Sequence, residues 1–397
     1  MDKKQQALQT FWILVALFGG LAMLTGLLGI VLGFVFPPSE MSLVTVVVVA
    51  MGLIALLFGF ALVLAGLTGW KQVPSRRFYS RWGWLIFLLL AAGLIGVAVF
   101  IPADRQNTPL FAPLHLGMIV LPALFLLSLI TLTAGREAAL TFRQMIVTMT
   151  GGVMTIFLAL PVELFGFLFS AVMVIAVAIV VPGGEAEVTR LTNLAQQWAA
   201  TPPADMESAL SVIASPVVLA ILALTLAVVA PLIEEFGKTL VMGVMGFWEH
   251  PGLTRAFVWG AACGLGFAMV EGISNGATGL GEMGGWLGGV GSRVLATAMH
   301  ALTSGLIGLG WGFFWRKRRW ALPLAYAVSV IFHGLWNFNV VLMAGGTGLG
   351  TTSSPIGYVL LAAGMGMQGL LLLVTPAALI GIPFFLRRRE ARSDATA

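Results

Sequence analysis

Ten apolar runs, each long enough to cross a lipid bilayer, constrain this chain more than any other feature. They are Phe11–Phe36, Val44–Gly69, Trp84–Ile101, Leu116–Thr133, Met145–Val181, Pro216–Phe247, Ala256–Asn275, Val294–Trp315, Ala321–Met343 and Ile356–Leu386. A hydrocarbon slab about 30 Å thick needs roughly 20 apolar residues per helical crossing. No water is present there to satisfy a backbone N–H or C=O, so such runs fold as helices. The composition agrees: of 397 residues, 59% are hydrophobic and only 9% charged. The expected fold is an all-α, polytopic transmembrane bundle of about ten spans. The first run begins after Asp2-Lys3-Lys4, is too long for a signal peptide and lacks an early small-residue cleavage site, so it reads as a retained span.

Basic residues orient the bundle, because cytoplasmic loops collect Lys and Arg. With the N-terminus cytoplasmic, 17 of the 21 basic residues fall on that side. Only Arg105, Arg190 and Arg293 fall outside, and Lys238 lies within a span. Both termini are therefore expected to be cytoplasmic. The net charge of +5 is then a fringe facing anionic headgroups, and it calls for no nucleic-acid partner. The single cysteine, Cys263, lies in a span and offers neither an intrachain disulfide nor a thiolate zinc site.

The informative residues are those that break the apolar pattern. Pro231-Leu-Ile-Glu-Glu-Phe-Gly-Lys238 puts Glu234, Glu235 and Lys238 inside the sixth run. Each such charge costs roughly 2.5–3.5 kcal/mol at a helix centre on insertion scales, so it must find compensation. Lys238 is four residues from Glu234 and three from Glu235, within reach of either. The two glutamates point about 100° apart, so one is free to face another helix. The seventh run supplies Phe267 and Glu271, four apart on one face, above a ridge of Gly260, Gly264 and Ala268. The eighth supplies His300, with Ser304, Gly308 and Gly312 as a second ridge. The ninth supplies His333 and Asn337, again four apart. At ~1.5 Å rise per residue, Glu235 lies about 17 Å below the cytoplasmic end of its helix, Glu271 and His300 about 22 Å, and His333 about 20 Å. Agreement within one helical turn across four helices points to one site.

The rest of the chain is plainer. The first four runs read as scaffold, with His115 an interfacial residue without chemistry. Pro161 predicts a kink in the fifth run, where Glu163 is as compatible with a polar neighbour as with function. Val188, Leu191, Leu194 and Trp198 share a helical face in the outer segment Pro182–Ser215, which suggests a short interfacial helix. The stretch from Gly272 to Gly291 holds nine glycines and reads as a mobile outer loop. Within it, Gly279-x-Gly281-x-x-Gly284 lacks the strand of a dinucleotide fold, and Gly272-x-Ser274-x-Gly276 lacks the strand-to-helix turn of a nucleophile elbow. All four aspartates (Asp2, Asp104, Asp205, Asp394) lie in loops or tails, which removes an intramembrane aspartyl pair. No H-E-x-x-H is present, which argues against the zinc-peptidase helix.

What remains is Glu234, Glu235, Glu271, His300, His333 and Asn337. A desolvated glutamate acts as a general base, and a His/Asn pair can donate hydrogen bonds to a tetrahedral oxyanion. Glu235, Glu271, His300 and His333 also carry the donor atoms for a Zn2+ ion with an open position. Metal-bound and metal-free chemistry both stand open on these residues.

These motifs, in this order on consecutive spans, resemble the PrsW intramembrane proteases, relatives of the type II CAAX prenyl endopeptidases. The resemblance runs over Glu234-Glu235-x-x-Lys238, Phe267-x-x-x-Glu271, His300 and His333-x-x-x-Asn337, from Pro231 to about Asn337. It implies hydrolysis of a peptide bond in a membrane-anchored protein, typically a single-pass regulator such as an anti-sigma factor, at the cell membrane. It makes Glu234 and Glu235 the essential pair, Glu271 and His300 further site members, and His333 with Asn337 the oxyanion side, with Lys238 and Phe267 in support. The CAAX enzymes have histidine where this chain has Glu271, so their substrate is not carried over. The expected domains are a scaffold over 1–140, a protease core over 141–345, and a C-terminal span with basic tail over 346–397. Two alternatives use the same residues: a non-catalytic scaffold subunit, or a proton- or cation-coupled transporter.

Overall fold

The computed structural model describes residues 3–35, 42–106, 108–200, 212–350 and 354–396. Its principal helices are α1 (Lys3–Val35), α2 (Ser42–Trp70), α3 (Gly83–Val99), α4 (Ala112–Ala134), α5 (Phe142–Val180) and α6 (Gly184–Ala200). They continue with α7 (Pro216–Leu224), α8 (Ala230–Lys238), α9 (Leu240–Met245), α10 (Leu253–Asn275), α11 (Met283–Trp315), α12 (Ala321–Gly350) and α13 (Pro355–Thr396). Among the described residues there is no strand, only an isolated bridge between Arg77 and Thr141. Nine helical segments there are long and apolar enough to cross a membrane, and α3 is apolar but stops at 17 residues. The chain is a multi-pass membrane protein.

Two compact units form. The first comprises Met1–Ile156, Lys238–Tyr326 and Pro376–Ala397; the second comprises Phe157–Gly237 and Ala327–Thr375. In the first unit α10 is the central helix: 94% of its apolar window is buried, against 11% for α1. Its glycines explain how neighbours come so close. A Cβ on Gly260 would strike the Ser304 carbonyl and Gly308, one on Gly264 the His300 carbonyl, and one on Gly266 the Met149 carbonyl. The small-residue ridges expected on α10 and α11 therefore face each other, and backbone meets backbone. The α1–α2 pair is built in the same way, with Gly19 against Gly59 and Gly26 against Gly52.

Three expectations need revision. His115 is fully buried rather than interfacial. The Trp286 indole N–H donates to its Nδ1 at 3.0 Å, and its Nε2 lies 2.9 Å from the Ile273 carbonyl, so the ring carries its proton on Nε2 and joins α4, α10 and α11. The glycine-rich stretch is mostly helix: α10 runs to Asn275 and α11 starts at Met283, eleven residues before the apolar run. The anchor is again Trp286, fully buried and edge-on to Phe111 at 4.9 Å, which holds the glycine-rich turn of α11 in place. The sixth run is not one helix either. A π-turn at Thr225–Val229 separates α7 from α8, and Thr239 leaves helical geometry after Lys238.

Helix α5 runs through Pro161 as a single uninterrupted helix, not broken there. The outer segment contains α6, where the Arg190 guanidinium grips Glu187 at 2.6 and 2.8 Å and holds its carboxyl down to about 2. The part of that segment spanning 201–211 lies outside the described residues.

Candidate active site

In the second unit the π-turn sets the geometry. A π-turn widens the helix by one residue and leaves a carbonyl outside the regular ladder, a feature often found at functional sites. Here the Leu226 carbonyl accepts a hydrogen bond from Asn337 Nδ2 at 2.8 Å. Gly334 makes this approach possible, since a Cβ there would strike the Ala227 carbonyl. With α12 pressed against the π-turn, His333 Nδ1 lies 2.9 Å from Glu235 Oε1 and His333 Nε2 lies 3.9 Å from Glu234 Oε2. Glu235 and His333 are essentially inaccessible, at 0% and 1%, while Glu234 keeps 6%.

The proton positions in this cluster follow from its partners. A carboxylate accepts only, so His333 Nδ1 carries the proton and gives it to Glu235. The Leu226 carbonyl fixes the Asn337 amide with its nitrogen inward. That nitrogen also lies 3.2 Å from His333 Nε2, which must then be the acceptor. The result is an imidazole that donates through Nδ1 to Glu235 and accepts at Nε2 from Asn337, with that nitrogen on the Glu234 side of the ring. Among the expected residues, Glu234, Glu235, His333 and Asn337 therefore meet in one cluster.

The first unit holds a second cluster on α10, α11 and the end of α8. Lys238, fully buried, places its ammonium 2.9 Å from His300 Nδ1 and 4.0 Å from the centre of the Phe267 ring. An ammonium has no lone pair, so it donates and Nδ1 accepts. His300 Nε2 then carries the proton and lies 2.7 Å from Glu271 Oε2. Phe267 sits edge-on to the His300 ring at 5.2 Å. Spacing on its own helix directs Lys238 towards Glu234 or Glu235, and only the fold reveals its bond to His300.

Arg293 is the residue that sequence reasoning missed. It stood out only as one of three arginines outside the cytoplasmic set, about two turns before His300 on the same helix. Its Nη2 lies 2.5 Å from Glu271 Oε2, with the two side chains 16% and 20% exposed. Asn275 Nδ2 donates to the other carboxylate oxygen at 3.2 Å. Glu271 thus faces an arginine, a histidine and an amide, as befits a fixed structural anion. Arg293→Gln is expected to lower the denaturant midpoint by an amount equivalent to about 1–3 kcal/mol, the cost of stranding a mostly buried charge. Arg293→Lys should recover most of it. An unchanged midpoint in Arg293→Gln would show that the pair holds nothing.

A carboxylate oxygen and an imidazole nitrogen are zinc donors, and Glu234 with His333 supplies both within the second unit. Glu235 on His333 Nδ1 repeats the carboxylate–histidine support that orients metal-bound imidazoles. These residues fit a zinc ion. His300 has both ring nitrogens engaged, by Lys238 and by Glu271.

Comparison with known proteins gives one finding. The sequence model of the family described as PrsW family intramembrane metalloprotease matches residues 159–365. No curated protein and no solved structure matches the chain. The match covers more than half of the chain and contains every residue of both clusters, so the chain belongs to the PrsW family of intramembrane metalloproteases, peptidases of the membrane.

Proposed function

We propose that this intramembrane peptidase cuts a single-pass, membrane-anchored regulatory protein of the anti-sigma-factor kind at the cell membrane, using the cluster of Glu234, Glu235, His333 and Asn337. The observation that carries the proposal is the position of the His333 ring between the two glutamates. Glu235 holds its Nδ1–H, and its Nε2 lone pair lies 3.9 Å from Glu234 Oε2. A water molecule that takes the place of the Asn337 N–H at that nitrogen and bridges to Glu234 would be oriented for attack. Glu234 would take its proton as the oxygen adds to the substrate carbonyl carbon, and would return that proton to the leaving amide nitrogen as the C–N bond breaks. His333 Nε2 has no proton to donate in this state. Asn337 Nδ2 gives one hydrogen to the Leu226 carbonyl and the other to His333 Nε2; once water occupies that nitrogen, the second N–H is released, and it is the donor we assign to the developing oxyanion.

Zn2+ would be held by Glu234 and His333, with Glu235 in support. When bound it would supply Lewis acidity at the water and the substrate carbonyl. Glu271 and His300 enter the proposal on the sequence resemblance. The lipid bilayer and the substrate are the only partners this reading requires, and nucleic acid is not among them.

The test is cleavage of co-reconstituted single-pass membrane proteins by the purified chain, with metal content measured on the same samples. The wild type should cut at a defined bond, and His333→Ala should not. Cleavage by His333→Ala at the wild-type rate would overturn the assignment. One zinc per chain that disappears in His333→Ala would support the metal-bound form. Undiminished cleavage by metal-free protein would establish the glutamate form instead.

A further inference from the structure

The first unit contains a polar cavity, of about 1120 Å3, that shares no residue with either cluster. It lies where four spans end: after α4, before α10, after α11, and beside the basic turn of α13. Six arginines line it, Arg136, Arg255, Arg316, Arg318, Arg387 and Arg389, against three glutamates.

The glutamates are already committed. Glu249 is held by Arg255 at 3.0 Å and by Gln144 at 2.6 Å. Glu390 accepts from the Leu253 backbone N–H and the Thr254 hydroxyl, both at 2.6 Å, and so caps the start of α10. Glu137 pairs with Arg77 at 3.5 Å. Arg316 donates to the carbonyls of Gly312 and Pro251, which carry no formal charge. Among the described residues Arg136, Arg318, Arg387 and Arg389 make no ion pair with a carboxylate. The cavity wall thus keeps a surplus of positive charge.

We propose that this cavity binds the phosphate-bearing headgroup of an anionic phospholipid. Guanidinium groups match phosphate oxygens with paired N–H donors. The location at the ends of spans is the depth at which headgroups lie. The volume exceeds what a single phosphate ion would fill and suits a headgroup with its glycerol. A diffuse basic fringe accounts for arginines at span ends. It does not account for a walled cavity that Arg387 and Arg389 line while their neighbours Arg388 and Arg392 do not.

The experiment titrates the full chain, purified in a zwitterionic detergent, with phosphatidylglycerol, phosphatidylcholine or inorganic phosphate, and reads the thermal unfolding midpoint. Phosphatidylglycerol should raise the midpoint saturably and phosphatidylcholine should not. The double variant Arg387→Gln/Arg389→Gln should bind phosphatidylglycerol about thirtyfold more weakly, on the usual contribution of two basic residues near a membrane surface. Arg388→Gln/Arg392→Gln, which removes the same charge outside the cavity, should bind as the wild type does. If the first pair fails to fold, Arg318→Gln on a separate element replaces it, with the same direction expected. Equal weakening in both pairs would overturn the proposal in favour of the diffuse fringe. An equal shift with phosphatidylcholine would overturn it as well. Saturation by inorganic phosphate that leaves no further shift from phosphatidylglycerol would assign the cavity to free phosphate and overturn the lipid.

Discussion

Glu234→Gln is expected to slow peptide hydrolysis by about 10²–10⁴-fold, the usual contribution of a positioned general base, while the chain still inserts and folds. Glutamine has nearly the same shape and loses only the capacity to take a proton from water. Glu234 is also the less buried of the pair, at 6% against 0%, and it lies on the lone-pair side of His333. Glu235→Gln should be milder, about 10–100-fold, as for other groups that orient a histidine. Its side-chain oxygen can still accept from His333 Nδ1–H. Single-turnover cleavage of one reconstituted substrate measures both, with helical content and elution volume as controls for folding. The reverse ranking, Glu235→Gln slow and Glu234→Gln nearly normal, would exchange the two roles. Normal rates in both would remove the glutamates from the chemistry.

How much of this was legible beforehand depends on what each feature required. The spans were legible because bilayer thickness and backbone satisfaction act on sequence directly. Glu234, Glu235, Lys238, Glu271, His300 and His333 were legible too, because an ionisable group in a hydrocarbon span stands out against its neighbours. Their partners were not. Helical spacing points Lys238 at glutamates on its own helix, whereas the bond to His300 depends on how α11 packs. Arg293 went unnoticed because it lies near a predicted span end, where arginine is ordinary. The π-turn at Thr225–Val229 has no composition that distinguishes it from the surrounding apolar helix. Its readable trace was Gly334, a glycine beside His333 on a face that needed close approach. The glycine-rich stretch misled in the opposite direction. Glycine weakens an isolated helix by about 1 kcal/mol per residue, yet Trp286, buried against His115 and Phe111, holds α11 helical through it.

Gly264 carries the other large expected effect. Its Cα faces the His300 carbonyl, and the atoms a side chain would meet are that carbonyl group and the Cβ of Ser304, none of which can rotate away. Because the collision begins at Cβ, Gly264→Ala should already separate α10 from α11, and Gly264→Leu should prevent the folded chain from accumulating. Overpacking of a core commonly costs about 1–3 kcal/mol, and a backbone contact belongs at the upper end or beyond it. The displaced residue would be His300, whose contacts with Lys238 and Glu271 at 2.9 and 2.7 Å leave little room for movement. Gly93 on α3 provides the control, since a Cβ there meets open space. Gly93→Ala should be neutral or stabilising by up to about 1 kcal/mol through helix propensity alone. Denaturant midpoints and the yield of monodisperse protein compare the two. If Gly264→Ala matches Gly93→Ala in both, the two helices are not in backbone contact, and close packing is not what positions His300.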